Sequence, residues 1–192
     1  MYGIPNFVSR FLIRNNRLQK VRFLIIGENY PGATYNTYFY RSLLPAVPVG
    51  GNPFFTALCA ALQIPTAKIG GTVYSEFERL KCFLNFGYLV IDALPGGGNG
   101  EEVAPVYPIA AANLDDLIDS ILLINPEKII ILTKAGNATY EAIATHPEGA
   151  KLISRILTNP ITGKNVFAFP SFPANPSIFQ DQIDALDPNT FL

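Results

Sequence analysis

Four short apolar runs stand out from the rest of the chain. They are rich in isoleucine, valine, leucine and phenylalanine, and they show no regular alternation with polar residues. A strand that is covered on both faces has this pattern, because neither face needs polar side chains. We therefore predict four buried strands: Val21–Ile26, Tyr88–Ile91, Lys128–Leu132 and Val166–Phe169.

Five helical segments separate or follow these runs, and each is preceded by a residue that can cap a helix. The first has proline at its first helical position, and the second has the serine and glutamate spacing of a capping box. The predicted helices are Phe54–Leu62 after Asn52, Phe77–Leu84 after Ser75, Leu114–Ile124 after Asn113, Ala138–Thr145 after Asn137, and Ile178–Leu186 after Ser177.

The order of these elements predicts an α/β protein. Strands that alternate with helices form a parallel sheet with helices on both faces, so we expect a three-layer α/β/α fold around a central four-stranded parallel sheet. The 192 residues suit one domain over 1–192, and no internal repeat or linker interrupts it. Residues 1–20 precede the first strand and are predicted to form a basic helical arm.

The composition narrows the class of protein. Hydrophobic residues make up 49% of the chain and charged residues 15%, which excludes an intrinsically disordered chain. No apolar run reaches about 18 residues, so no membrane span or membrane partner is predicted. The two cysteines, Cys59 and Cys82, suit a reduced interior, and we expect a cytoplasmic protein. A single histidine, His146, excludes zinc sites built on several histidines, and neither a metal nor another cofactor is predicted.

Charge is unevenly distributed along the chain. Residues 1–81 carry nine bases and three acids, a balance of +6, whereas residues 82–192 carry five bases and twelve acids, a balance of −7. The basic residues at the start of the chain can contact phosphates of a nucleic acid. The alternative is a solvated helix with Arg10, Arg14 and Arg17 on one face. The basic residues that precede the first acid are Arg10, Arg14, Arg17, Lys20 and Arg22.

Polar and flexible residues follow each predicted strand. The carboxyl ends of parallel strands meet at one edge of a sheet, and ligands of α/β proteins bind there. We therefore expect the candidate site at this edge. The four strands are followed by Gly-Glu-Asn-Tyr-Pro-Gly at 27–32, by Asp92, by Thr-Lys-Ala-Gly-Asn at 133–137, and by Phe-Pro-Ser-Phe-Pro-Ala-Asn-Pro at 169–176.

These strand ends, in this order, resemble the uracil-DNA glycosylase superfamily. Residues 27–32 resemble its Gly-x-x-Pro motif, and Asp92 ends the strand that in the family ends in a base-binding asparagine. Residues 169–171 resemble the His-Pro-Ser motif, and 52–55 resemble the Asn-Arg-Phe-Trp helix of the mismatch-specific branch. The resemblance covers about residues 21–190. It implies a uracil-DNA glycosylase-like fold and hydrolysis of the N-glycosidic bond of a deaminated or mismatched base in DNA.

The resemblance also assigns roles to individual residues. Glu28 and Asn29 place the attacking water, and Asp92 binds the edge of the base. An aromatic run in a loop suits base stacking, with core packing as the alternative. The assigned residues are Glu28 and Asn29 as catalytic groups, Tyr38, Phe39, Tyr40 and Asp92 for the base, and Lys134, Ser171 and Asn175 for phosphate.

Three departures from the family pattern leave a second function open. Tyr30 is inserted before Pro31, Asp92 replaces the asparagine, and Phe169 replaces the histidine that stabilises the departing base. The alternative is a binding module on the same fold that holds a nucleobase, a nucleotide or another partner without cleaving it. A third class, a flavodoxin-like or other α/β hydrolase, is disfavoured because the chain has no Gly-x-Ser-x-Gly.

Overall fold

The protein is a mixed α/β structure built around a small parallel sheet. The computed structural model describes residues 13–14, 17–18, 20–29, 39–40, 42, 51–94, 109, 111–132, 136–170 and 176–191. Among the described residues, short 3-10 turns lie at 149–151, 153–155 and 188–190. The strands and helices are β1 (Ile13–Arg14), β2 (Arg17–Leu18), β3 (Phe23–Asn29), α1 (Pro53–Ala61), α2 (Glu76–Asn85), β4 (Tyr88–Leu94), α3 (Ala111–Ile124), β5 (Lys128–Ile131), α4 (Gly136–Thr145) and α5 (Pro176–Asp184).

The sheet has three parallel strands in the order β4-β3-β5. In its register, Ile25 lies between Val90 and Ile130, and Gly27 lies beside Asp92. Consecutive strand residues point to opposite faces, and the neighbours Leu24 and Ile25 are both fully buried. Both faces of the sheet are therefore covered, as the unbroken apolar runs predict.

In the described residues the sheet has three of the four predicted strands, because the fourth run makes a single bridge rather than a regular strand. Phe167 makes one parallel bridge to Leu132, and its N–H donates to the Ile131 carbonyl at 2.8 Å. A second segment pairs with the outer side of β5 closer to its start, since the Leu157 N–H donates to the Ile129 carbonyl at 2.9 Å. The four residues of β5 are thus shared by two short segments, and neither can form a regular ladder.

The first two helices begin where their sequence signals predict. Asn52 caps α1, and its side-chain oxygen accepts from the Phe55 N–H at 3.1 Å. Ser75 and Glu78 form the complete capping box at the start of α2. Both caps need only residues within three positions of each other, so the local sequence is sufficient to define them.

The other three helices begin earlier than predicted. α3, α4 and α5 start at Ala111, Gly136 and Pro176, so the proposed caps Asn113, Asn137 and Ser177 lie inside their first turns. The first turn of a helix has backbone N–H groups without intrahelical partners, so polar residues are tolerated there as well as at the cap. A capping residue alone therefore places the start only to within a few positions.

The basic arm is not helical where it is described. β1 and β2 pair antiparallel, with Ile13 opposite Leu18 and Arg14 opposite Arg17. The predicted helix, and the arginine face that depends on it, are wrong for residues 13–14 and 17–18, which form strands.

Candidate functional site

The candidate site is centred on the carboxyl ends of β3 and β4. Asp92 lies directly beside Gly27 in the parallel register. A Cβ atom placed on Gly27 would lie 2.9 Å from Asp92 Oδ1, closer than such contacts occur. The carboxyl of Asp92 thus packs against the bare backbone of β3. Glycine at position 27 leaves the room that this carboxyl occupies.

The surroundings of Asp92 change its acidity. Its side chain is only partly exposed, and burial raises the pKa of its carboxyl from the ordinary 3.8 to about 7. The cause is desolvation, which disfavours the charged form. Near neutral pH this carboxyl therefore exists in both forms: the protonated form donates a hydrogen bond, and the ionised form only accepts.

Glu28 and Asn29 are the last two residues of β3. The backbone of Asn29 pairs with Leu94, so both residues reach the same end of the sheet as Asp92. Their side chains lie outside the described part of the structure. The predicted meeting of Gly27 and Asp92 at one edge is confirmed. The predicted roles of Glu28 and Asn29 stay predictions.

Phe39 and Tyr40 belong to the core. Their exposed fractions are 4% and 2%, and the Phe39 ring contacts Phe54, Phe55 and Phe83 with centroid separations of 4.9–5.6 Å. These two rings fill space between α1 and the sheet, which is the alternative that the sequence left open. In this structure they offer no open face on which a base can stack.

The Tyr40 hydroxyl forms hydrogen bonds with the outer side of strand β4. It accepts from the Val90 N–H at 3.0 Å and donates to the Val90 carbonyl at 2.7 Å. Val90 lies on β4, an outer strand of the sheet, and these two groups point away from β3. One buried hydroxyl thus makes the pair of bonds that a further strand would otherwise make.

Phe169 lies against the start of α1. Its ring stacks on Phe54 with a centroid separation of 4.8 Å and an interplanar angle of 20°. The structure therefore brings together one residue from each of two segments that carry the family resemblance, Phe54 and Phe169. The contact between them is apolar, and no hydrogen-bond donor is supplied by the side chain at position 169.

Several predicted site residues cannot be placed. Tyr38, Lys134, Ser171 and Asn175 lie outside the described residues, as does Thr133 at the end of β5. Leu132 is described, and its N–H donates to the Ile26 carbonyl at 3.0 Å. The carboxyl end of β5 therefore lies beside β3, towards the same end of the sheet as Asp92.

His146 directly follows α4 and contacts α3. Its Nε2 lies 3.0 Å from Asp115 Oδ1, and its Nδ1 accepts from the Glu148 N–H at 3.2 Å. Both ring nitrogens are engaged, so neither is free to act as a base. The sequence predicts a surface position for His146, whereas its side chain is only 17% exposed.

Lys20 and Arg22, which precede β3, lie at the end of the sheet opposite the candidate site. Lys20 forms an ion pair with Glu127, and Arg22 Nε lies 3.8 Å from the same carboxylate. Arg22 precedes the first residue of β3, whereas Glu28 is near its last. Because a strand rises about 3.3 Å per residue, roughly 20 Å separate these positions. Lys20 and Arg22 therefore do not flank the candidate site.

Sequence reasoning missed two features of this region. The pattern predicts that Gly27 follows the first strand, whereas Gly27 lies within β3 and makes room for Asp92. The edge bond of Tyr40 has no signal in the sequence, because its partner Val90 is 50 residues away. A glycine within an otherwise apolar strand is the one available clue, since it often marks a close approach of another group.

Comparisons with known proteins add no relative. No protein-family model, curated protein or solved structure matches the chain. Within the described ranges, no helix has the length and apolar character needed to cross a membrane. In the same part of the chain, no three histidine, cysteine, aspartate or glutamate side chains are grouped as a metal site requires. Function is therefore inferred from the residues and their geometry.

Proposed function

We propose that the chain is a divergent uracil-DNA glycosylase-like domain that hydrolyses the N-glycosidic bond of a deaminated or mismatched base. The base leaves the stack and enters the carboxyl edge of the sheet beside Asp92. Water adds to the anomeric carbon of the sugar, the bond to the base breaks, and the base departs with the bonding electrons and is then protonated.

The Asp92 carboxyl carries this proposal. In the family, an asparagine amide at the corresponding strand end donates to a carbonyl of the base, which an ordinary ionised aspartate cannot do. The pKa of Asp92 is raised to about 7, so part of the protein carries a protonated Asp92 near neutral pH. The protonated carboxyl donates a hydrogen bond as the amide does. The ionised form instead accepts from an exocyclic amine, so the protonation state selects the class of base.

Residues at the end of β3 act on the sugar in this reaction. The transition state carries positive charge on the sugar, and a carboxylate stabilises that charge and orients water. We assign this role to Glu28, with Asn29 as the second water-positioning group. Lys134, Ser171 and Asn175 hold the phosphates of the strand. Phe169 packs on Phe54 and supplies no hydrogen bond to the departing base, so we expect slow turnover.

The test uses the whole protein and oligonucleotides that carry uracil, hypoxanthine, xanthine or a mismatch, with alkali-labile breaks as the measure of base loss. Glu28→Gln is expected to lower the rate by about 100-fold, the scale of a lost acid–base group. Glu127→Gln is the matched control at the opposite edge of the sheet and leaves the rate unchanged. For a base that presents a carbonyl, the rate falls as the pH rises through about 7, because Asp92 loses its proton.

A second variant tests the missing donor. Phe169→His restores the family residue and is expected to raise the rate, because an imidazole donates to the developing charge on the base. The proposal fails if no oligonucleotide loses a base with the wild-type protein and Phe169→His changes nothing.

A binding module is the second candidate, and the stack of Phe169 on Phe54 favours it. An apolar contact at this position suits a pocket that holds a nucleobase without stabilising a leaving group. Fluorescence titration with single-stranded oligonucleotides separates the two functions, because a module binds without base loss. If the arginines of the first 22 residues contact phosphates, affinity falls steeply with salt. Salt-independent binding instead indicates a free nucleotide or a protein partner.

A further inference from the structure

The first turn of α4 lies near the carboxyl ends of the strands. Leu132 directly follows β5, and α4 begins four residues later at Gly136. Four residues span at most about 14 Å, so the start of α4 lies close to the carboxyl end of β5. Strand β3 separates β5 from β4, so about 10 Å lie between β5 and the strand that carries Asp92. The first turn of α4 and Asp92 therefore belong to the same end of the sheet.

The backbone N–H groups of this turn have no described partner. The first four N–H groups of any α-helix lack a partner within the helix, and in α4 they belong to residues 136–139. Helices α1 and α2 use the side chains of Asn52 and Ser75 to accept from such groups. No described carbonyl or side chain accepts from residues 136–139, and the turn contains no acidic residue. Among the described residues, the positive end of this helix dipole is thus uncompensated.

Thr139 is an independent sign of a ligand at this turn. Its exposed fraction is 3%, and its hydroxyl makes no hydrogen bond with any described residue. Buried polar groups are nearly always hydrogen-bonded. The other threonine of α4 makes the ordinary bond of a helical threonine, since the Thr145 hydroxyl donates to the Glu141 carbonyl at 2.8 Å. Thr139 therefore carries an unused hydroxyl on an otherwise buried side chain.

The position of Thr139 in the helix directs its hydroxyl towards the uncapped turn. Helical side chains lean towards the N-terminal end of the helix, so Thr139 lies over the turn that begins at Gly136. Gly136 is buried on the same face of α4 as Thr139. Among the described residues, the fully enclosed side-chain atoms without a partner belong to Ser42 and Arg79, so the Thr139 oxygen still has access to solvent. The hydroxyl and the unpaired N–H groups therefore lie together on the buried side of the first turn.

We propose that the first turn of α4 binds the terminal phosphate of a small ligand. The N–H groups of residues 136–139 and the hydroxyl of Thr139 donate to the phosphate oxygens, the usual arrangement of an anion at a helix N-terminus. A terminal phosphate has one substituent and fits the buried side of a turn, whereas a phosphate within a nucleic-acid strand has two and needs an open groove. That a nucleoside carries this phosphate rests on the proposed function. The phosphate site itself does not require release of a base.

The test is a titration of the isotope-labelled whole protein at neutral pH and constant ionic strength, followed by amide chemical shifts. The probes are uridine monophosphate, uridine, inorganic phosphate and a single-stranded oligonucleotide without terminal phosphates. We expect saturable shifts at residues 136–139 with the monophosphate and with inorganic phosphate, and none there with uridine or the oligonucleotide. Tighter binding of the monophosphate supports a nucleoside as the carrier. Equal affinity for the two phosphates supports the phosphate site and refutes that carrier.

Variants of the two threonines locate the contact. Thr139→Val keeps the shape of the side chain and is expected to weaken binding of the monophosphate roughly tenfold, the scale of a hydrogen bond to a charged group. Its melting temperature should stay unchanged or rise, because valine buries no unpaired hydroxyl. Thr139→Ser keeps the hydroxyl and should retain most of the affinity. Thr145→Val removes a hydroxyl from the other end of the same helix and is the matched control.

Three results would overturn the proposal. The first is the absence of saturable shifts at residues 136–139 with both phosphates. The second is an equal response to uridine or to the oligonucleotide, because a terminal phosphate would then not be the group that is recognised. The third is an equal loss of affinity on Thr139→Val and Thr145→Val. Base loss is measured separately, so a protein that releases a base but does not respond to either phosphate would refute this site and leave the glycosylase function in place.

Discussion

The pKa of the Asp92 carboxyl depends on its position beside Gly27 on the adjacent strand. The carboxyl occupies the space beside Gly27, where a Cβ atom would lie 2.9 Å from Oδ1. Burial there raises its pKa to about 7, so the folded protein holds a proton that the unfolded chain releases near 3.8. Ionising Asp92 therefore costs the folded state free energy, and the cost grows as the pH rises from about 4 to about 7.

Asp92→Asn is expected to stabilise the protein at high pH. Asparagine has nearly the same shape and carries no charge at any pH, so the variant avoids the cost of ionisation. The difference in free energy of unfolding between variant and wild type should grow between pH 4 and 7 and stay constant above. One pKa unit corresponds to about 1.4 kcal/mol, so the upper limit is roughly 4 kcal/mol.

Urea unfolding at pH 4, 6 and 8 measures this difference. Asp119→Asn, an exposed change on α3, is the control and should show no such pH dependence. A difference between Asp92→Asn and wild type that stays constant over this range would mean that the carboxyl of Asp92 is not desolvated in the folded protein.

Helix α2 begins with a network that links local and distant residues. Glu78 accepts from the backbone of Ser75 and also pairs with Lys68 at 2.6 Å. The hydrogen bond from Lys68, followed by those from Ser75, lowers the pKa of Glu78 to about 2. The stability that this carboxylate adds is present above its ordinary value of 4.5 and is lost as the pH falls towards about 2. The start of α2 therefore weakens in acid.

Ser75→Ala is expected to lower the free energy of unfolding by about 1 kcal/mol. The Ser75 hydroxyl accepts from the Glu78 N–H at 3.2 Å, and alanine leaves this donor without its cap. Thermal or urea unfolding at neutral pH measures the loss. Ser154→Ala, in an exposed 3-10 turn, serves as the control and should have almost no effect. Equal losses in the two variants would contradict a capping role.

Over the whole molecule, the two outer edges of the sheet are closed in different ways. The edge of β5 is shared by residues 156–157 and 167, whereas the described edge of β4 is bonded at Val90 by the Tyr40 hydroxyl. Aromatic contacts then continue through the core. They run from Phe169 through Phe54, Phe39, Phe83, Tyr88 and Phe23 to Phe191. One packed core therefore connects the two ends of the sheet.

Tyr40→Phe is expected to cost about 2 kcal/mol of stability. The variant keeps the ring in the core but removes the partner of two buried backbone groups, and an unsatisfied buried group costs about 1–3 kcal/mol. Tyr140→Phe, a half-buried change on α4, is the control and should stay within about 0.5 kcal/mol of wild type. If Tyr40→Phe is as stable as wild type, water replaces the hydroxyl at Val90.

The sequence by itself determined the features that depend on near neighbours and on burial. The caps of α1 and α2 involve residues three positions apart, and the apolar runs marked three strands because strands buried on both faces need unbroken hydrophobicity. It also placed Gly27 and Asp92 together, since parallel strands put their carboxyl ends at one edge. Each of these follows from chain geometry or from the cost of burying polar groups.

Only the tertiary structure decided which segments pair with the same outer strand of the sheet and which side chains are buried away from water. The run that ends at Phe169 is as apolar as a strand, yet it forms one bridge because a second segment occupies the edge of β5. Phe39 and Tyr40 belong to an aromatic run that suits stacking as well as packing, and their contacts with distant residues place them in the core. The pKa of Asp92 likewise depends on the atoms around it, which lie far apart along the chain. Competition for an edge and desolvation both arise between distant residues, so neither has a local pattern from which it could be predicted.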